Sequence, residues 1–180
     1  VEHKGTARKF ESSLDWLENA HFIKLIYNVS TLAYPLESFS IRENFRIYPT
    51  DIGLLICYYD FELKKAILED KKIDTLPESL ILKTSKGGLY EALAADFLIK
   101  RGTEHLFFYK QTGSTLEIEF LLSTPEGIIP IEIKAGRSKT NSLDVILNDA
   151  NIPFGYKMAD QNIGIHGKKI TMPLYMLMFI

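Results

Sequence analysis

The stretch EIEFLLSTPEGIIPIEIK, residues 117–134, decides the fold because it has the pattern of two strands joined by a tight turn. Side chains of a strand point alternately to opposite faces, so Ile118, Phe120 and Leu122 are expected on one face. Charged residues occupy the alternate positions, and they either line a solvated face or form a site. The charged residues at the two outer ends of this stretch are Glu117, Glu119, Glu132 and Lys134.

The apolar pattern predicts one register for this hairpin, because a slip of one residue turns every side chain to the other face. With the turn at Pro125-Glu126, the two apolar faces coincide only if Glu119 lies opposite Glu132. The same register sets Glu117 opposite Lys134. We therefore predict two carboxylates facing each other across one pair of strands.

Directly opposed carboxylates have Cβ atoms ~5 Å apart and repel each other unless a cation or a proton lies between them. A divalent metal is the economical explanation, since Mg²⁺ prefers oxygen ligands and is often held by one or two carboxylates. Lys134 follows Glu132 by two residues, and its ammonium, expected near solvent, would orient a water or stabilise charge on a phosphoryl oxygen. A solvent-exposed strand face rich in Glu and Lys is the alternative reading.

A helix is predicted before the hairpin, in GGLYEALAADFLIKRG at residues 87–102, and it ends at Gly102. Its apolar residues form one broad face, Glu91 lies on the flank of that face, and Asp96 and Lys100 form an exposed i,i+4 pair on the opposite side. A strand is expected between this helix and the hairpin, and a helix, one or two short strands and an apolar segment after it. This order predicts an α/β domain at residues 80–180, a mixed sheet flanked by helices.

The first part of the chain, residues 1–68, has a helical pattern ending near Ala20, then β-like segments, then a short helix with Asp51 as a possible N-cap. A helix followed by two strands is how a winged helix-turn-helix ends, so a partial winged-helix-like segment is one reading. An ordinary helical packing subdomain is the other. Residues 69–86 are polar with one Pro and are expected to form an irregular connection.

Composition restricts the classes of protein that the chain can represent. The 180 residues are 46% hydrophobic, which argues against disorder, and the net charge of −2 gives no global signal for nucleic-acid binding. A single cysteine, Cys57, excludes an internal disulfide and fits a cytoplasmic protein, and no apolar run is long enough to cross a bilayer. The four histidines have no zinc-ligand spacing.

The ordered set of motifs resembles the PD-(D/E)XK nuclease superfamily. More narrowly, it is similar to the C-terminal domain of prokaryotic AAA-type ATPases known as domain of unknown function 4143, whose pattern runs G-x-x-x-E, then E-[VI]-D-F, then I-E-[VI]-K. These motifs stand here at Gly87 to Glu91, at Glu117 to Phe120 and at Ile131 to Lys134. The preceding segment and the closing MPLYMLMFI also resemble that family.

The resemblance implies a restriction-endonuclease-like fold and hydrolysis of nucleic acid, most naturally DNA, with Mg²⁺ or Mn²⁺. It implies Glu91, Glu119 and Glu132 as metal ligands, and these three acids with Lys134 as catalytic residues. The sequence departs from the family at Glu119, where Asp is usual, and the longer side chain puts the octahedral geometry of Mg²⁺ in question. No G-x-x-x-x-G-K-[ST] motif occurs, so an ATPase module is expected upstream of Val1.

Three functions remain open from the sequence. The first is a metal-dependent nuclease, the second is a non-catalytic DNA- or partner-binding module with a degenerate site, and the third is a structural or oligomerisation domain. Basic residues near the motifs would contact phosphates in the first two: Lys83, Lys86, Lys100, Arg101, Arg137 and Lys139.

Overall fold

The computed structural model describes residues 7–59, 61, 64–65, 80–103, 105–135 and 141–180. The helices are α1 (Ala7–Asn19), α2 (Ile52–Cys57), α3 (Leu80–Lys100) and α4 (Asn141–Ile146). Strands β1 to β5 are Ile23–Val29, Ser40–Pro49, Phe107–Lys110, Glu117–Thr124 and Gly127–Ile133. Strands β6 to β8 are Gly155–Met158, Gly164–His166 and Lys169–Met172, and 3₁₀ turns cover Leu36–Phe39 and Leu174–Phe179.

These eight strands form one sheet in the order β2-β1-β3-β4-β5-β6-β8-β7. The sheet is mixed, since β3, β4 and β5 pair antiparallel whereas β5, β6 and β8 pair parallel. The prediction of an α/β fold with a mixed sheet flanked by helices is therefore confirmed. No helix in the part of the chain that the structure describes is long and apolar enough to span a membrane.

The central strands β4 and β5 are buried on both faces of the sheet, and each face has its own apolar cluster. One cluster packs α3 residues such as Ala95 and Leu98 against Phe120 and Ile131. The other packs Leu143 and Ile146 of α4 against Leu121 and Ile128. This double cover explains why β4 and β5 read as nearly continuous apolar runs, and it places the charged residues of the hairpin inside the protein.

Residues 23–49 belong to the same sheet as the domain predicted at 80–180. Strands β1 and β2 form an antiparallel hairpin after α1, as expected, and Asp51 caps α2 by accepting from the Gly53 N–H at 2.6 Å. However, β1 also pairs with β3, so the sheet is continuous across the predicted boundary. The division into 1–68 and 80–180, and the winged-helix-like reading, stay predictions.

Helix α3 begins at Leu80, whereas Gly87 and Gly88 were expected to precede the helix, so residues 80–86 are helical and not irregular. Gly87 and Gly88 lie inside the helix, each at a cost of ~1 kcal/mol relative to Ala. The predicted end is confirmed, because Gly102 has a φ of +97°, a left-handed conformation that favours glycine. Residues 66–79, most of the expected connection, fall outside the described ranges.

The predicted Asp96–Lys100 pair is present with a Lys100 Nζ–Asp96 Oδ1 distance of 2.9 Å, and it joins a buried acid to an exposed lysine. Asp96 is only 2% exposed, because α3 packs against both the sheet and α2. Lys100 Nζ also lies 3.6 Å from Oδ2 of Asp51, the N-cap of α2. The pair therefore joins the end of α3 to the start of α2.

An irregularity in β4 overturns the predicted alternation of side chains. Phe107 pairs with Leu121 and Tyr109 pairs with Ile118, so two steps along β3 match three steps along β4. This extra residue is a β-bulge, and it moves Ile118 into the α4-side cluster, whereas Phe120 lies in the α3-side cluster. Glu119 lies between them, at the bulge. The end of the chain also differs, with three strands instead of one or two.

Replacing Gly155 with alanine is expected to destabilise the protein by about 1–3 kcal/mol. Gly155 begins β6, and an added Cβ would lie 2.9 Å from Pro130 Cγ and 3.0 Å from Leu143 Cδ1. The small residue thus lets α4 approach the sheet. The check is the urea midpoint, with Gly164→Ala as the control because its Cβ would meet nothing within 4 Å. Equal midpoints for the two variants would contradict this account.

Candidate functional site

Two carboxylates and one ammonium meet where β4 and β5 lie side by side. Lys134 Nζ is 2.9 Å from Glu132 Oε1 and 3.3 Å from Glu119 Oε1. The structure therefore brings together three of the four predicted site residues. Lys134 follows directly on β5, and its own N–H donates to the Met158 carbonyl oxygen at 2.8 Å, which ties the end of β5 to β6.

The hairpin register that was predicted to produce this meeting is confirmed where the pairing is regular. Phe120 pairs with Ile131 and Thr124 with Gly127, and the turn lies at residues 125–126. The pairs between these two strands end at Phe120 and Ile131, one position short of the predicted Glu119–Glu132 pair. The bulge in β4 lies at this point and turns the Glu119 side chain toward the end of β5.

Each carboxylate also accepts a hydrogen bond from the backbone. Glu119 Oε2 accepts from the Ile133 N–H at 3.2 Å, and Glu132 Oε2 accepts from the Leu143 N–H at 3.3 Å. The Oε1 atoms of both residues face the same ammonium. The Glu119 side chain thus reaches both the β5 backbone and Lys134.

Burial makes these charges strongly dependent on one another. The side chains of Glu132 and Glu119 are 3% and 10% exposed, and that of Lys134 is 25% exposed. Burial raises the pKa of Glu119 despite the opposing attraction of Lys134. Burial also opposes the charge on Lys134, but Glu119 and Glu132 outweigh it and raise the pKa of the ammonium. Lys134 was expected to hold its ammonium near solvent; its side chain is partly exposed, and the ammonium contacts both buried acids.

Glu117 lies apart from this cluster. It was expected opposite Lys134, but β5 ends at Ile133, and Glu117 instead pairs with Lys110 of β3. The Lys110 Nζ–Glu117 Oε2 distance is 3.0 Å, and Glu117 Oε1 also accepts from Arg46 Nη2.

Glu91 also has other partners. Its Oε2 accepts from the Tyr48 hydroxyl at 3.1 Å and lies 3.6 Å from Arg46 Nη1, so its carboxylate is directed at β2. Across the described residues, no three His, Cys, Asp or Glu side chains are grouped closely enough to hold a metal ion. The three-acid arrangement of Glu91, Glu119 and Glu132 is not assembled in this structure, and their role as metal ligands stays a prediction.

A residue that the sequence analysis missed is Lys157 on β6. It pairs with Glu132 in the parallel register and is 7% exposed. Burial lowers the pKa of Lys157, and the neighbouring Lys169 adds to this effect. The only signal in the sequence was a lysine within the short β-like stretch GYKM, which alone does not distinguish a buried from an exposed lysine.

The donor set around Lys134 fits a divalent cation of the Mg²⁺ type. Glu119 and Glu132 converge on a single point that already holds a positive charge, and both offer hard oxygen atoms. Two carboxylates suffice for Mg²⁺, which usually keeps several waters. A metal at this point would have to displace the ammonium, so the two cations compete for the same oxygen atoms.

Replacing Glu119 with glutamine is expected to stabilise the metal-free protein by about 1 kcal/mol at pH 7, because a buried charge is removed while Lys134 keeps Glu132. Since the pKa of Glu119 is raised by burial, its contribution to stability is full below the unfolded value near 4.5 and is lost as the pH rises through the folded value. The advantage of the variant should therefore shrink on acidification. Urea unfolding with EDTA at pH 4 and pH 7 measures it, and an advantage that is larger at pH 4 would contradict the assignment.

Comparison with known proteins gives one family. The family model described as Domain of unknown function (DUF4143) matches residues 86–175, which is half of the chain. The matched residues include Glu119, Glu132 and Lys134. No curated protein matches the chain. No solved structure matches it either.

Proposed function

This chain belongs to the family described as Domain of unknown function (DUF4143), and we propose that its α/β domain is a metal-dependent nuclease that hydrolyses phosphodiester bonds in DNA. The observation that carries the proposal is the convergence of Glu119 and Glu132 on one cation, the Lys134 ammonium, at 3.3 and 2.9 Å. Two buried carboxylates that share one cation are costly to maintain for structure alone, since a packed apolar pair is often as stable or more so.

The proposed roles follow from the contacts. Glu119 and Glu132 would hold Mg²⁺ or Mn²⁺, and their hydrogen bonds to the backbone keep both carboxylates in place. A metal bound there supplies a water activated near neutral pH and charge for the phosphoryl oxygens. Lys134 would stay beside the two acids and would stabilise the negative charge that develops on the phosphate.

DNA contact is proposed to involve basic residues that lie near the motifs in the sequence. Of the six that the sequence analysis named, the structure describes the side chains of Lys100 and Arg101, and Arg101 is exposed. Lys100 is engaged by Asp96 and Asp51 and is a weaker candidate. An ATPase module upstream of residue 1 remains the proposed partner.

The test is a titration of the purified, EDTA-treated chain with Mn²⁺ by calorimetry, followed by cleavage assays on single- and double-stranded DNA and RNA. We expect one Mn²⁺ per chain and cleavage that EDTA stops. Absence of both metal binding and cleavage on every substrate would reject the proposal.

A non-catalytic DNA- or partner-binding module is the second candidate, and one observation favours it. The Lys134 ammonium occupies the point on which the two acids converge, and Glu91 contacts Arg46 instead of these acids. Salt-dependent DNA binding with no metal uptake and no cleavage would select this function.

A further inference from the structure

Strand β7 forms one edge of the sheet and carries few of the features that usually protect an edge. Among the residues that the structure describes, no strand lies beyond it, and Gly164, Ile165 and His166 are all exposed. Edge strands are generally guarded against pairing with another chain by charged side chains, by proline or by a bulge. β7 has no Lys, Arg, Asp, Glu or Pro, and its pairing with β8 is regular. Its length of three residues limits how strongly it can pair.

The opposite edge of the sheet, β2, is guarded in each of these ways. It exposes Arg42 and Glu43, and its pairing with β1 shifts register between Tyr27 and Asn28. It also ends at Pro49. Of the two edges of the described sheet, β7 is therefore the one that can accept a further strand.

The turn after β7 determines which backbone groups of this strand face outward. A two-residue turn joins β7 to β8, and its first residue, Gly167, has the positive φ of +58° that such hairpin turns favour. The pair that closes the turn, His166 and Lys169, exchanges its hydrogen bonds within the hairpin. Ile165 therefore directs its N–H and C=O away from β8, and extension of the strand by one residue gives Ile163 the same direction.

Exposed apolar side chains accompany these outward-facing backbone groups. Ile163 and Ile165 are 59% and 74% exposed, and residues two positions apart in an extended segment face the same side of the sheet. Ile165 lies opposite Ile170, which packs against the α3-side apolar cluster. The β7 edge thus offers hydrogen-bonding groups together with an apolar surface.

We propose that β7 pairs antiparallel with β7 of a second copy of this chain, about a two-fold axis at Gly164, so that two sheets become one. With the axis at this residue, Ile163 lies opposite the second copy's Ile165, and each such pair exchanges two hydrogen bonds through the outward-facing groups. The four isoleucines form one apolar cluster on the α3 side. Asp160, four residues before the axis, comes opposite the second copy's Lys168, four residues after it, so unlike charges meet at both ends of the pairing.

Glycine at the axis suits this register. Gly164 would lie opposite its own copy as a non-hydrogen-bonded pair, in which the Cα atoms are ~4.5 Å apart and the side chains come closest. A Cβ added at Gly164 would meet nothing within 4 Å in the single chain, so the position is open to a close approach. The register that unites the isoleucines is therefore also free of a steric barrier at its centre.

Sedimentation equilibrium of the whole chain in EDTA, at about 1–200 µM, tests the pairing. One strand pair is small beside the ~1,600 Å² of a standard interface, so we expect a weak dimer with a Kd on the order of 10 µM. The mass should rise with concentration from 20.6 kDa toward twice that value. Ile165→Lys places a charge on the edge and should weaken association at least ~10-fold. Ile47→Lys, the same change at an exposed isoleucine of the opposite edge, is the matched control and should alter the Kd less than about twofold.

A cross-link tests the register without any change at Ile165. In a Cys57→Ser background, which removes the one natural thiol, Gly164→Cys should form a disulfide between two copies under mild oxidation. The reason is that Cα atoms ~4.5 Å apart are within disulfide range. His166→Cys should cross-link much less, because residue 166 comes opposite Asn162 of the second copy and not opposite itself.

The outcomes decide between this edge and any other surface. A chain that stays monomeric at every concentration overturns the inference, and so does a dimer that Ile47→Lys disrupts and Ile165→Lys leaves intact. Equal cross-linking through residues 164 and 166 also overturns it. If Ile165→Lys fails to fold by circular dichroism, the Gly164→Cys cross-link decides. Because every measurement is made without metal, failure of the dimer and failure of the proposed nuclease activity are separate results.

Discussion

Lys134→Ala should lower the free energy of unfolding of the metal-free protein by about 3 kcal/mol at pH 7, because removing one partner from a buried ion pair leaves uncompensated charge. Glu119 and Glu132 would then face each other with no cation between them. The same change should reduce any Mn²⁺-dependent cleavage by ~100-fold, since the developing charge on the phosphate loses its positioned cation. Urea unfolding in EDTA and a cleavage time course measure the two effects.

Mn²⁺ should reverse the loss of stability without restoring the cleavage. At about 100 times its dissociation constant a ligand adds roughly 2.7 kcal/mol to the free energy of unfolding, and the variant no longer has to displace an ammonium. The gain on adding Mn²⁺ should therefore be larger for Lys134→Ala than for the natural chain. Lys110→Ala is the matched control, since its ammonium is exposed and pairs with Glu117 outside the cluster. If Lys134→Ala were as stable as Lys110→Ala in EDTA, Lys134 would not be the cation that stabilises the two buried acids, and the assignment would be wrong.

The hairpin was predictable because its register depends on local pattern. Apolar residues at alternate positions and a turn at Pro125-Glu126 admit only one register that keeps both apolar sets buried, and the structure has it. The meeting of Glu119 with Glu132 follows from that register. The fold class was predictable too, because the order of helices and strands also depends on local sequence pattern.

The rest depended on contacts between segments far apart in the chain. Glu91 faces Arg46 and Tyr48, residues 45 and 43 positions earlier, because β1 pairs with β3 and brings β2 next to α3. Nothing in the local pattern of residues 23–49 indicates which strand they join. The bulge that displaces Ile118 likewise arises from the pairing of β3 with β4. The sequence of either strand alone does not predict how the two strands pair.

The burial of the charged side chains could not be predicted from the sequence pattern either. The Glu and Lys residues of the hairpin alternate with apolar ones as they would on a solvated face, and only the packing of α4 through Leu143 shows that Glu132 is covered. Lys157 of β6 is also buried, and its short strand gives no sign of this in the sequence. A buried lysine beside Glu132 adds a second positive charge to the surroundings of the two acids.

Glu132→Gln should reduce Mn²⁺-dependent cleavage by ~100-fold or more and weaken Mn²⁺ binding, while the protein remains folded. Glu132 is the more deeply buried acid of the pair, and a glutamine oxygen can still accept the Leu143 N–H that holds the side chain in place. The change therefore removes the negative charge and leaves the shape. Calorimetry with Mn²⁺ and cleavage assays at a fixed metal concentration measure the two losses.

Glu117→Gln is the matched control for this last variant, because it is the same substitution on β4, two residues before Glu119. Glu117 is bound by Arg46 and Lys110 and has no contact with the Lys134 ammonium, so its loss should leave metal affinity and cleavage within about twofold of the natural chain. Both variants remove one carboxylate from the same hairpin, so any difference between them is due to the position of the carboxylate and not to the overall charge. Equal losses in the two variants would mean that overall charge governs the activity, and the assignment of Glu132 as a metal ligand would then be wrong.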